Sequence, residues 1–182
     1  DVPNLRTLVS ATDVEVKSEV NIVNSEVKAI GGNKDNNLTD ENGNILHGNL
    51  NIQSVDNSQV ITTGLGLINY SAIIGISDVN SGITITNSDL YATDNLKISA
   101  KGDNTVNLSY LDLSLLDMVE TLRGIPSAAF NWAELNSDVK VNVDNASTLN
   151  VKGNVDVHAE SIRNLSSDTV AGGDTDKLGF VA

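Results

Sequence analysis

The residue types that most often carry catalysis or bind metals are few in this chain. There are two His, His47 and His158, and no Cys. Thiol chemistry, Cys-ligated zinc and a disulfide framework are therefore excluded. The two His form no HExxH or related zinc pattern. No Gly-x-Ser-x-Gly nucleophile elbow and no phosphate-cradling Gly loop occurs. Acid pairs remain, because glycosidic cleavage uses two carboxylates about 5 to 9.5 Å apart. The candidates are Asp112 with Asp117, Glu134 with Asp138, and Asp40 with Glu41. None comes with the Arg or Lys and the aromatic platform of a sugar cleft, and aromatic residues total only 3 Tyr, 2 Phe and 1 Trp. These residues point to a chain with no catalytic residue, no cofactor and no resident metal.

Three weaker signals remain. Asp35, Asp40 and Glu41, with backbone oxygens of the stretch 30–48, could surround calcium. Their spacing departs from the twelve-residue EF-hand loop, so a solvated loop is the expectation. Lys101-Gly102-Asp103 matches an integrin-type tripeptide, but Gly-Asp is ordinary turn chemistry and a turn is expected there. Asn-x-Ser/Thr sequons include Asn37, Asn107, Asn145 and Asn164, which matter only in a secretory host.

The elements that would position these residues follow from composition. The chain has 182 residues, 11 basic against 24 acidic, and a formal net charge of -13. Such a charge repels phosphate backbones, so nucleic acid is not an expected partner. A 40% apolar share is too high for a disordered acidic tail. No apolar run approaches the roughly 18 residues of a membrane-spanning helix. Neither the start, Asp1-Val2-Pro3-Asn4, nor any later stretch resembles a signal peptide. The end stops within an apolar run, Gly179-Phe180-Val181-Ala182, which suggests a segment of a longer chain. There are 24 Asn, with abundant Val, Ile, Leu, Ser and Thr. β-branched residues suit pleated strands, and Asn suits turns because it tolerates left-handed backbone.

The chain also repeats itself. Val20 to Ala29, Ile83 to Ala92 and Val141 to Val151 share one order: alternating apolar and polar residues, Asn, Ser, then a short apolar stretch. Ser25, Ser88 and Ser147 anchor the comparison. Downstream, the segments beginning Asn49-Leu50, Asn95-Leu96 and Asn154-Val155 correspond, the first displaced by an insertion. Upstream, Ser71 to Ser81 parallels Ser127 to Ser137. The result is about three degenerate units of roughly 60 residues in one domain over 1–182. Alternation at period two predicts half-buried strands. Turn signals at Asp56-Asn57, Asp94-Asn95, Gly102-Asp103-Asn104, Asp144-Asn145 and Gly153-Asn154 predict corners every six to ten residues or so. The expectation is an all-β parallel solenoid with coils of about 20 residues, about eight coils in all, forming a rod about 40 Å long.

Two insertions interrupt the pattern. The stretch 30–48 predicts a protruding hairpin or loop, with Asn42-Gly43 in a type I′ turn. Near 114–124, Leu115, Leu116, Met118, Val119 and Leu122 fall at helical spacing. Ser114 could cap this short helix, and Gly124 with Pro126 could end it.

The blocks Ser88 to Ala100 and Ser147 to Ser161 resemble the repeats of giant bacterial exoproteins of the filamentous haemagglutinin and leukotoxin-like kind. The shared phrase is a small polar residue, an apolar residue, Gly/Asp-Asn/Asp, an alternating strand and Ala-Glu-Ser, here Ala159-Glu160-Ser161. The resemblance implies a right-handed parallel β-helix in a secreted or surface-attached adhesin, filament or stalk. Its implied partners are neighbouring repeats of the parent chain and host-cell or matrix glycans or proteins. The exposed ends of such a stack also predict weak head-to-tail self-association. A carbohydrate-active or carbohydrate-binding β-helix and a calcium-stabilised module are the alternatives.

Overall fold

The computed structural model describes residues 7–32, 37–65, 70–111, 128–144, 146–168 and 180–181. Alternating apolar and polar residues build ten strands among them. They are β1 Thr7–Val23, β2 Glu26–Ala29, β3 Leu50–Leu65, β4 Tyr70–Thr86, β5 Asp89–Ala92, β6 Leu96–Leu111, β7 Ala128–Val143, β8 Thr148–Val151, β9 Val155–Ser167 and β10 Phe180–Val181. Every third strand pairs in parallel, giving sheets β1-β4-β7-β10, β2-β5-β8 and β3-β6-β9. A long, a short and a second long strand therefore make one coil. The chain winds through three coils and enters a fourth at β10. This all-β architecture of stacked parallel sheets is compatible with a β-helix. The helix expected near 114–124 lies outside the described residues.

One repeat unit is one coil. Thr7 pairs with Tyr70, and Tyr70 with Ala128. The expected coil of about 20 residues is therefore wrong. At about 4.8 Å per coil the three coils rise about 14 Å, not 40 Å. Each long strand of 16 or 17 residues runs about 55 Å across the stack. The two long sheets face each other, with β3 packed between β1 and β4, and β6 between β4 and β7. The short sheet closes one end of this flattened coil.

The misjudged coil length has a physical cause. Asp56-Asn57 and Gly102-Asp103-Asn104 are not turns; they lie inside β3 and β6. Asp56 and Asn104 point inward. Asp56 Oδ2 accepts from the Ser18 amide, and the Asn104 amide nitrogen donates to two carbonyls. Asn104 Oδ1 has no partner among the described residues. The interior holds two aliphatic clusters. One contains Ile52, Ile83, Ile85, Leu90, Leu96 and Ile98, and the other Val60, Ile73, Val106, Leu108 and Tyr110. Between them runs a polar waist. Ser54 Oγ donates to the Ser18 carbonyl at 3.0 Å, and Ser81 Oγ to the Ser54 carbonyl at 2.9 Å. Asn104 Nδ2 donates to the carbonyls of Ser77 and Asn136 at 2.9 and 2.8 Å. Ser58 and Ser77 share a hydroxyl contact of 2.6 Å. Gly102 sits in a close approach, where a Cβ would come within 2.7 Å of Val139 and 2.9 Å of Val79.

The true corners carry the Asn excess. Asn24 and Asn87 adopt left-handed backbone, φ 48° and 44°, at equivalent positions of successive coils. Asn87 Nδ2 donates to Asn24 Oδ1 at 2.8 Å. The anchor serines stack as expected: Ser25 N donates to Ser88 Oγ at 3.1 Å, and Ser88 N to Ser147 Oγ at 3.3 Å. At the next corner Asn95 Nδ2 donates to Asn49 Oδ1 at 3.0 Å, and Asn154 N donates to Asn95 Oδ1 at 3.0 Å. The upstream alignment needs correction by two residues, because Ser71 pairs with Ala129 and not with Ser127. A shift of two keeps the pleat, so the same face still points inward.

The 30–48 insertion leaves the coil between β2 and β3. Its described part folds back on itself, with an antiparallel bridge between Thr39 and Ile45. The turn is not type I′: Gly43 has φ 82°, while Asn42 has no positive φ. Gly43 N donates to the Asp40 carbonyl at 3.0 Å, which places Asp at the first position and Gly at the last. That is type I turn chemistry. The neck is closed by Gly31 N donating to Thr93 Oγ1 and Gly48 N donating to Asp94 Oδ2, both at 2.7 Å.

Candidate functional site

Period-two alternation on β7 sends Phe130, Trp132 and Glu134 to the outer face of the long sheet. The β4–β7 register then brings Ile74 beside Trp132 and Ile76 beside Glu134, with Tyr70 two residues before the partner of Phe130. Phe130 and Trp132 stack with centroids 6.4 Å apart and planes 25° apart. Tyr70, Phe130 and Trp132 are 42%, 45% and 51% exposed, unlike core residues. Half of the chain's aromatic residues thus form one outward strip. The sequence contained part of the signal, since Phe130 and Trp132 are two apart on a strand. Tyr70 arrives from the preceding coil through a register that was misplaced by two. Of the acid candidates among the described residues, Glu134 is the one beside these rings on β7.

Farther along the same face, Gly82 leaves a depression of about 250 Å³ lined by Glu15, Lys17, Glu19, Asp138 and Lys140. Both of its lysines are paired. Lys17 meets Glu19 at 3.0 Å, and Lys140 meets Asp138 at 2.9 Å. The hydrogen bond and charge of Asp138 hold the Lys140 ammonium above its ordinary pKa. Glu134 and Asp138 both face outward on β7, four residues apart. At about 3.3 Å per residue this separates them by about 13 Å, beyond either glycosidase spacing. Glu134 Oε1 instead accepts from Asn136 Nδ2 at 2.9 Å. Asp112 and Asp117 lie outside the described residues.

The oxygen-rich loop uses its carboxylate locally. Asp40 Oδ1 accepts from the amides of Asn42 and Asn44, each at 2.8 Å, and Oδ2 accepts from Asn44 Nδ2 at 2.9 Å. The Asn44 side chain, followed by its amide, pulls the Asp40 carboxyl below its ordinary pKa. Asp35 lies outside the described residues, and no group of three or more His, Asp or Glu converges among the described ones. His47 lies 3.4 Å from Asp94, and His158 lies 3.2 Å from Asp156, at opposite ends of the stack. Lys101-Gly102-Asp103 lies in mid-strand with Gly102 buried, so the tripeptide is not displayed on a turn. The sequons Asn107 and Asn164 lie on β6 and β9, Asn37 lies in the insertion, and Asn145 lies outside the described residues.

Among the described residues, the buried carboxylate is that of Asp56, which is 4% exposed. Burial raises its pKa, and the Ser18 amide, donating to Oδ2 at 2.9 Å, opposes the rise. It faces the polar waist. No helix among the described residues is long and apolar enough to cross a membrane. No protein-family model, curated protein or solved structure matches the chain.

Asp56 gives a pH prediction. Its folded pKa lies above its unfolded value, so the folded state binds the proton more tightly. The resulting penalty is absent well below both pKa values and grows as pH rises through them. Asp56→Asn keeps an acceptor for Ser18 and removes the charge. It should raise the melting midpoint by a few degrees at pH 7, about 1 kcal/mol, with the gain vanishing near pH 3. A gain equal at both pH values, or a loss at pH 7, contradicts this.

Proposed function

We propose that the chain is a non-catalytic structural and adhesive segment of a secreted or surface-attached bacterial protein, wound as a right-handed parallel β-helix. The observation that carries the proposal is the start of a fourth coil. Phe180 stands opposite Ala128, in the same column as Tyr70 and Thr7. A chain that opens another coil in register is organised for stacking. The acids and His residues described above are held by turns and local pairs rather than around a substrate. Right-handed winding follows the strong preference of parallel crossover connections within one sheet. The resemblance of Ser88 to Ala100 and Ser147 to Ser161 to exoprotein repeats supports placement outside the cell. The test is labelling of intact producing bacteria with antibodies against the chain. Labelling without permeabilisation is expected. Signal only after permeabilisation overturns the placement.

The strip of Tyr70, Phe130 and Trp132 favours a second reading, a glycan-binding face. Flat aromatic rings offer an apolar platform, and Glu134 beside them offers a hydrogen-bond acceptor for hydroxyls. Trp132 is the chain's single Trp, so its fluorescence reports the strip directly. Titration with soluble polysaccharides should shift or quench it saturably, and the saturable binding should disappear in Trp132→Ala. Unchanged emission across neutral, acidic and amino sugars removes this reading.

A further inference from the structure

The outer face of the long sheet β1-β4-β7 changes character along its strands. Across the three strands, Val9 and Phe130 flank Ala72, and Ala11 and Trp132 flank Ile74. Val9, Phe130 and Trp132 are exposed, and so is Tyr70 in the row before them. The next row is acidic at both ends, with Asp13 and Glu134 flanking Ile76. One row further, Glu15 stands beside Asp78. This face looks away from the interior of the coil. Coils added on either side of the stack would widen it and would not cover it, so its exposure belongs to the flank and not to an end.

The protein does not neutralise these acids. Lys17 and Lys140 of the same face are taken by Glu19 and Asp138. Among the described residues, no Lys or Arg pairs with Asp13, Glu15, Asp78 or Glu134. Glu134 accepts from Asn136 Nδ2, which brings no charge, and Asp78 Oδ1 has no donor among the described residues. The apolar rows from Tyr70 to Ile76 run about 20 Å along β4 and about 14 Å across the three strands. A patch of roughly 300 Å² falls well short of the about 800 Å² a side of a standard protein interface. It is too small to hold a second copy of the chain by itself, and it suits a short run of sugar rings.

We propose that this face binds a glycan of amino sugars in their unacetylated, cationic form. The proposal rests on the glycan-binding reading of the aromatic strip and names its ligand class. The sugar rings lie on the apolar rows, and their ammonium groups meet the acidic row. Outward residues that follow one another on a strand are about 7 Å apart. A ring seated on Trp132 therefore has Glu134 within reach of its amino substituent, with Asp13 at the other end of the same row. An ammonium beside the aromatic faces also gains from their quadrupoles. N-acetylation keeps the sugar ring and removes the charge. A uronic acid adds like charge, which this face repels. A lysine-rich peptide carries the charge without the sugar rings.

Trp132 emission of the whole chain tests this, titrated with three oligomers of equal length. They are a glucosamine oligomer, the same oligomer fully N-acetylated, and a uronic acid oligomer. The buffer is mildly acid, where the sugar amines are protonated and the carboxylates of the protein stay ionised. The glucosamine oligomer should bind about fivefold tighter than its acetylated twin, and the uronic acid oligomer most weakly. Added salt should shrink the preference. Asp13→Asn with Glu134→Gln should bring the first two oligomers to near-equal affinity while the Trp132 response remains. Both positions are exposed, melting checks the fold, and Glu134→Gln alone serves if the pair does not fold. The variant leaves the rest of the acidic surface in place, so a polycation merely attracted to the chain would keep its advantage. Equal binding of the first two oligomers to the unmodified chain overturns the proposal. So does a preference that survives the substitutions, or oligolysine that binds as tightly as the glucosamine oligomer. In each of these cases saturable binding of the acetylated oligomer keeps the glycan reading. Binding of none of the sugars removes that reading and the proposal with it.

Discussion

Every part of this structure depends on one constraint. A coil of this width cannot bury its inward side chains alone, so each must find matching chemistry in the coil above and the coil below. Ile98 is sealed because Ile52 and Val157 share its column and Ile83 and Ile85 pack in the same cluster. The parallel ladders fix that register through backbone hydrogen bonds, and the side chains then have no freedom to choose other neighbours. Stability is therefore of the nearest-neighbour kind, coil against coil. The middle coil is the best buried because it alone has complete neighbours on both sides.

The same constraint explains the polar groups. A column of Ser and Asn in the middle of the coil is costly wherever a group lacks a partner, as Asn104 Oδ1 does among the described residues. Serine hydroxyls and the Asn104 amide reach backbone carbonyls of adjacent strands, and so let two aliphatic clusters lie within one interior. The corners repeat the device with Asn on Asn and Ser on Ser. Most of the charged residues lie on the outer faces, with Asp56 buried inside, and a net charge of -13 keeps most of the surface hydrated. Apolar side chains on the outer faces include the aromatic strip and also Val9, Val55 and Ile61.

How much was legible in the sequence follows from the same physics. Alternation identified the strands, and the spacing of Ser25, Ser88 and Ser147 identified units that do stack on one another. The number of coils was misjudged because Asp56 and Asn104 read as turn residues when they are interior ones. Nothing local distinguishes the two; only the strand across the coil does. The Asn42-Gly43 turn was placed correctly and typed wrongly, since Asp40 two residues earlier captures the backbone. The aromatic strip was half visible, in Phe130 and Trp132. Its third member depended on a cross-coil register that a two-residue error preserved in phase and lost in position.

The central claim, that a unit of about 60 residues is one coil, has a direct measurement. The chain has no Cys, so a single engineered pair reports unambiguously. Lys97 and Asp156 are register partners on the outer face of β6 and β9. Adjacent strands lie within the reach of a disulfide, whose Cα atoms are about 4.4 to 6.8 Å apart. Lys97→Cys with Asp156→Cys should cross-link almost completely on mild oxidation, read by mass spectrometry, with the fold retained. Lys97→Cys with Glu160→Cys, four residues out of register, should not. Failure of the first pair, or equal cross-linking of both, contradicts the coil described here.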